Sequence, residues 1–189
     1  MGSVEVLAPF DAVSASGAAE NAPLAVLFTD VEASTDLTDR VGDTKARDLL
    51  REHERLTRKA LPQSGGTEIK IMGAGFMASF TSASGALDAA IAMQRAITEH
   101  FAETETPIRI RVGINAREPI EEDDDLYGTA VIQAARVMGK ADGGQVLVTD
   151  TVRNLVAGKD YRFHDRGTHD LKGFAEPARL FEVGWDKTD

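Results

Sequence analysis

A strand–turn–strand unit enclosed by two helical segments constrains this chain most. Glu68-Ile-Lys-Ile-Met72 and Phe76-Met-Ala-Ser-Phe80 flank Gly73-Ala-Gly75, and two β-prone runs joined by a short Gly-rich turn predict a hairpin. Upstream, Ser34 is placed to cap and open a helix. Leu49, Leu50, His53, Leu56 and Leu61 carry one long amphipathic helix on to about Pro62, before a turn at Gly65-Gly66. Downstream, Ser82 to about Phe101 reads as a second helix, with Leu87, Ala90, Ile91, Gln94 and Ile97 on one face. Leu24-Ala-Val-Leu-Phe28 has the length of a buried strand, and Ile108-Arg-Ile-Arg-Val-Gly-Ile114 alternates like a half-buried one. The order is βαββαβ, which predicts an α+β fold with a ferredoxin-like core. Gly128 to Ala141 then reads as a helix, Gln145 to Val148 as a strand and Thr151 to Val156 as a short helix. Additional C-terminal strands follow around Gly167 and Gly173. There is no internal repeat.

The 189 residues suit one domain. Residues 1–22 are rich in Ala, Ser and Gly and are expected to form a flexible N-terminal lead, with Val4-Glu-Val-Leu-Ala8 as a short strand or helix; the domain is expected over 23–187. No cysteine is present, which excludes disulfides and thiolate metal sites, and His53, His100, His164 and His169 are too scattered for a histidine metal cluster. The formal net charge of −10 argues against non-specific nucleic-acid binding, which needs clustered Lys and Arg. It leaves room for a small anionic ligand in a locally basic pocket. No apolar run reaches the roughly 18 residues of a membrane helix, and no basic stretch precedes an apolar core as in a secretory signal. The expected compartment is the cytoplasm, without membrane or nucleic-acid partners.

Three segments carry chemistry. In Phe28-Thr-Asp-Val-Glu-Ala-Ser-Thr35 an aspartate ends a strand just before a helix. It can hold a divalent cation, and the helix amides can receive phosphate oxygens; equally, many such aspartates are plain caps. The second is the hairpin, Glu68 to Phe80. The third, Asp125-Leu-Tyr-Gly-Thr-Ala-Val-Ile-Gln-Ala-Ala-Arg136, follows the acidic loop Glu121 to Asp125. Taken alone, it is a helix whose acidic lead-in complements the macrodipole.

In order and at these separations, the three segments resemble the signature of class III adenylyl and guanylyl cyclase catalytic domains. The tail Arg166-Gly-Thr-His-Asp-Leu-Lys-Gly-Phe-Ala-Glu-Pro-Ala-Arg-Leu-Phe-Glu182 is also similar to the end of bacterial members. The resemblance runs from about Leu24 to Trp185. It implies conversion of a nucleoside triphosphate to a 3′,5′-cyclic nucleotide and pyrophosphate, with two Mg2+ or Mn2+ ions held by two aspartates of one protomer. Asp30 matches the first aspartate, and Val31 a position that adds a backbone carbonyl. Lys70 and Asp125 match the base-reading pair contributed by the other protomer of a head-to-tail dimer. Lysine only donates and ionised aspartate only accepts, which suits N1 and N6 of adenine and not the reversed pattern of guanine, so the expected nucleotide is ATP. Arg136 matches the arginine that stabilises transition-state charge, and Lys172 a lysine that contacts the triphosphate.

Two positions depart from the pattern. Ala74 stands where the second metal aspartate belongs, and a methyl group is no ligand. Ile132 stands where an asparagine orients the ribose; Gln133 is adjacent, but one helical position is about 100° of rotation. Three readings stay open: a weak adenylyl cyclase working as a homodimer or completed by another cyclase domain in a heterodimer, a silent ATP-binding or dimerisation module, and an aspartate-to-alanine variant of an active cyclase.

Overall fold

A computed structural model describes residues 24–117 and 126–186. Its elements are β1 (Leu24–Val31), α1 (Ser34–Val41), α2 (Asp43–Ala60), a single 3-10 turn (Pro62–Ser64), β2 (Gly66–Met72), β3 (Gly75–Phe80), α3 (Ala83–Phe101), β4 (Ile110–Arg117), α4 (Leu126–Met138), β5 (Val146–Thr149), α5 (Asp150–Leu155), β6 (Arg162–His169) and β7 (Ala178–Gly184). The expected leader segment, the Val4–Ala8 element and the acidic loop ending at Asp125 lie outside the described residues.

The strands form one sheet in the order β2-β3-β1-β4-β5-β7-β6. β1 lies antiparallel between β3 and β4, so the first four strands have the expected ferredoxin-like arrangement. β5 adds parallel to β4, and the β6–β7 hairpin extends the sheet. Alternation along β1 sends Ala25, Leu27 and Val31 to one face, where they join Phe76, Phe80, Leu37 of α1, Ala46 of α2, Leu87 and Met93 of α3, and Val152 of α5 in the main core. Burying each large apolar side chain there stabilises the fold by roughly 1.5–3 kcal/mol. Val26 and Phe28 point the other way and pack with Met77 and Ala134 of α4. Close contact of α4 with the sheet depends on Gly113 in β4. A Cβ there would sit 2.2 Å from the Met138 nitrogen and 2.7 Å from the Ala134 oxygen.

The structure revises four local expectations. The helix read from Ser34 to Pro62 is two helices broken at Gly42, which adopts φ 80. Ser34 is not the cap: Ala33 holds that position in the left-handed region (φ 52, ψ 36), with no side-chain cap bond. Ser82 does cap α3, its Oγ accepting the Gly85 N–H at 3.0 Å. β4 is not half-buried, because α4 covers the face that would meet solvent in a two-layer fold and Val112 through Ala116 are all buried. Finally, the fourth helix ends at Met138 rather than Ala141; residues 139–144 turn tightly into β5.

Candidate nucleotide and metal site

Asp30 closes β1 on the same face as Val26 and Phe28, with Gly75 of β3 on one side and Arg111 of β4 on the other. The Arg111 guanidinium donates to Asp30 Oδ2 from Nη2 at 2.7 Å and from Nε at 3.3 Å. Residue 74 sits in the two-residue turn between β2 and β3. Its carbonyl accepts the Val31 N–H at 3.3 Å, and its methyl group packs against the main core. The second carboxylate of the expected pair is therefore absent, and the turn is held by backbone instead. Glu32 comes next: its Oε1 accepts the Gly143 N–H at 2.9 Å, and its Oε2 accepts Arg109 Nη2 at 2.8 Å and Nε at 3.0 Å. The Gly143 amide and the Arg109 guanidinium hold the Glu32 carboxyl below the usual carboxylate range.

The remaining expected positions gather on the face of the sheet that carries α4. Lys70 is exposed on β2, opposite Met77, at a bulge between Glu68 and Lys70. Met77 in turn faces Phe28, so Lys70 lies one row back from the Asp30 row. Arg136 is exposed on α4, and Lys172 is exposed beside Leu171, which packs with Val137 of α4. Ile132 is 44% exposed. Gln133 turns inward, where its Oε1 accepts from Asn115 Nδ2 at 3.1 Å, while Thr149 Oγ1 donates to Asn115 Oδ1 at 2.9 Å. Gln133 is thus engaged in the interior and does not stand in for the missing asparagine. Among the described residues, the Asp30 carboxylate is hydrogen-bonded by Arg111 and not by Lys70, Arg136 or Lys172. Asp125 lies outside the described residues.

The donor set fits one cation better than two. No cluster of three Asp, Glu or His side chains suited to a metal occurs among the described residues. One carboxylate, a carbonyl and substrate phosphates suffice for a single Mg2+, whereas a two-ion site needs more charge than Asp30 supplies. Arg111 meanwhile supplies the positive charge that Asp30 needs.

Sequence reasoning missed Arg109, Arg111, Glu32 and Ala33. The two arginines were visible as alternate residues of a strand expected beside β1, which was the available signal. The left-handed backbone of Ala33 had none.

Over residues 18–183 the sequence matches the model of the adenylate and guanylate cyclase catalytic domain. The chain belongs to that family. It is 34% identical over 129 residues to a putative adenylate cyclase of Rhizobium meliloti, covering 66% of this chain and 21% of that protein. This cyclase domain therefore spans about a fifth of that relative's length. Among solved structures, the adenylyl cyclase CyaB from P. aeruginosa superposes with a TM-score of 0.74 at 22% identity, covering 89% of this chain and 97% of that one. An adenylate/guanylate cyclase/hydrolase from Silicibacter pomeroyi gives 0.70 at 30% identity, covering 87% and 98%. The fold is thus that of a class III nucleotide cyclase, and the expected α+β core stands within it.

Proposed function

We propose that this domain acts on ATP, forms cyclic AMP and pyrophosphate weakly on its own, and does so better beside a partner cyclase domain with both metal aspartates. The observation that supports this is the asymmetry at the tip of β1: Asp30 is in place and charge-paired, whereas residue 74 offers a methyl group and a carbonyl already bonded to Val31. In the reaction, the ribose 3′-oxygen loses its proton, bonds to the α-phosphorus and expels pyrophosphate. Mg2+ or Mn2+ would lower the cost of that deprotonation and neutralise the phosphates. Asp30 and the Val31 carbonyl would hold the triphosphate-bound ion. Arg111, released when a cation takes over Asp30, then has a guanidinium to offer phosphate oxygens. Lys70 and Asp125 would read adenine in the partner's site, Arg136 would meet the charge on the transition state, and Lys172 the triphosphate. In a homodimer each site lacks the carboxylate at 74. In a heterodimer, a partner supplying both aspartates leaves this chain to supply Lys70, Asp125 and Arg136, and one site is complete.

The exposed Ile132 and the inward-turned Gln133 favour a second reading, a silent nucleotide-binding or dimerisation module. Cyclic-AMP formation with Mg2+ and with Mn2+, by this domain alone and mixed with a cyclase domain that has both aspartates, separates the two. Trace product alone and a rise on mixing are expected. No product in either arm at high protein concentration removes the enzyme, and calorimetry with a non-cyclisable ATP analogue then tells a nucleotide-binding module from a pure interaction domain.

A further inference from the structure

We infer that Glu32 is a positioning residue: it locks the tip of β1, which carries Asp30 and Val31, to the turn that ends α4, the helix of Arg136. The inference rests on the role proposed above for Asp30.

Glu32 is held three ways. Its own N–H donates to the Arg109 carbonyl at 2.9 Å, one carboxylate oxygen takes the Gly143 amide, and the other takes the Arg109 side chain through two donors. These contacts join segments separated by 77 and 111 positions in sequence. The ion pair alone would mean little, because Arg109 is largely exposed and surface pairs contribute weakly. The contact with Gly143 is what turns it into a clamp. A Cβ on residue 143 would lie 2.3 Å from Glu32 Oε2 and 2.5 Å from its carboxyl carbon, so the carboxylate has closed onto backbone that only glycine leaves open.

Both ends of the clamp are stiff. The turn continues the hydrogen bonding of α4 through Gly139 N–H to Ala135 O, Lys140 N–H to Val137 O and Ala141 N–H to Met138 O, each at 3.0 Å. It is tied back to β4 by the Gly144 N–H on Ile110 O at 2.8 Å and to the chain's end by Trp185 Nε1 on Gly144 O at 2.7 Å. At the other end, Glu32 follows Val31 directly and precedes the left-handed Ala33 that leads into α1. A displacement of Glu32 therefore moves the metal-facing strand tip and the start of α1 together, relative to β4 and the turn at Gly143.

Glu32→Gln keeps an oxygen for the Gly143 amide but turns an NH2 group toward the Arg109 donors. Arg109→Gln opens the same arm from the exposed side, and Gly143→Ala pushes the carboxylate away. Lys45→Ala, which breaks a remote surface pair with Glu105, is the control. Amide hydrogen exchange at Val31 and Glu32, the donors to Ala74 O and Arg109 O, reads the strand tip. Calorimetry of a non-cyclisable ATP analogue across Mg2+ concentrations, in the chain as it is and with Ala74→Asp, reads the site. The three clamp variants should each speed exchange at Val31 and Glu32 and raise the Mg2+ concentration for half-maximal binding by about tenfold, the scale of one lost charge-assisted bond. Leu180 exchange and the Lys45→Ala protein should stay as wild type. Unchanged exchange overturns the inference, and so does faster exchange with an unmoved Mg2+ midpoint, which would make the clamp merely structural. If neither background binds the analogue, the ATP reading fails, while the exchange arm still decides whether Glu32 holds the β1 tip.

Discussion

Replacing Ala74 by aspartate puts a carboxylate at the turn whose carbonyl accepts the N–H of Val31, next to Asp30 in sequence, without removing that backbone bond. If the rest of the proposed site is intact, Ala74→Asp should raise cyclic-AMP formation by roughly 10²–10³, the scale of one preorganised transition-state contact. No gain in that assay would move the defect to Ile132. Ala33 is a second residue at odds with its backbone. A non-glycine side chain in the left-handed region carries strain on the order of 1 kcal/mol, and a glycine at this position would relieve it at some loss of unfolded-state restriction. Ala33→Gly should therefore stabilise the fold by about 0.5–1 kcal/mol, seen as a higher urea midpoint at unchanged slope. His53 sets a third expectation. It is buried on α2 with neither ring nitrogen hydrogen-bonded among the described residues, and burial pulls its pKa from 6.5 down to about 4 despite the opposing charge of Asp30. The unfolded chain takes up the proton before the folded one does. The contribution is therefore complete above pH 6.5 and drains away as pH falls toward 4, about 3 kcal/mol in all at roughly 1.4 kcal/mol per pH unit. In chemical unfolding from about pH 7 to about pH 4.5, His53→Leu should lose stability less steeply than wild type; parallel curves would show that His53 takes no part in acid unfolding.

Among the elements, α4 depends most on a single neighbour. Its backbone lies against Gly113 so closely that any Cβ there collides with main-chain atoms of Met138 and Ala134, which cannot rotate away. Gly113→Ala should cost about 2–3 kcal/mol as α4 lifts from β1 and β4, and the rise in fluorescence of a dye that binds exposed apolar surface would report the opened face. Much of this scaffold was legible in the sequence because it is written in local periodicity. The hairpin around Gly73, the helix capped by Ser82 and the apolar run of β1 each follow from residues within a few positions of one another. What escaped was non-local. The burial of β4 on both faces depends on α4, encoded downstream of it, and the alternation of Arg109 and Arg111 looked like a solvent face when it is a row of partners for Glu32 and Asp30. The break at Gly42 escaped because glycine is tolerated inside helical patterns, and only the packing of α1 against α2 decides the bend. For the site, family resemblance supplied the positions, and donor–acceptor chemistry supplied only an expectation of adenine. The tether of Gln133 to Asn115 needed the fold, since rotation about a helix says where a side chain cannot reach but not what holds it.

At the scale of the whole molecule, one sheet face is covered by α1, α2, α3 and α5, while among the described helices only α4 packs on the other. That less covered face presents Lys70 and Ile132, and under the proposed dimer it is the face offered to a second cyclase domain. Two copies of a chain with a net charge of −10 repel one another over about 30 Å at about 0.01 M salt but only about 8 Å at about 0.15 M. Sedimentation should therefore show self-association strengthening as salt rises over that range; the reverse trend would mean that complementary charges across the face outweigh the net repulsion. No helix among the described residues is long and apolar enough to cross a membrane. The ends of the sheet bear on assembly too. The outermost strands, β2 and β6, are each interrupted by a bulge, between Glu68 and Lys70 and between Asp165 and Thr168. The outer strand β6 also carries Arg162, His164, Asp165 and Arg166 exposed along its length. A foreign strand trying to zip onto either border meets broken register and charge. Edge-to-edge addition of strands is thus disfavoured at both margins of the described sheet.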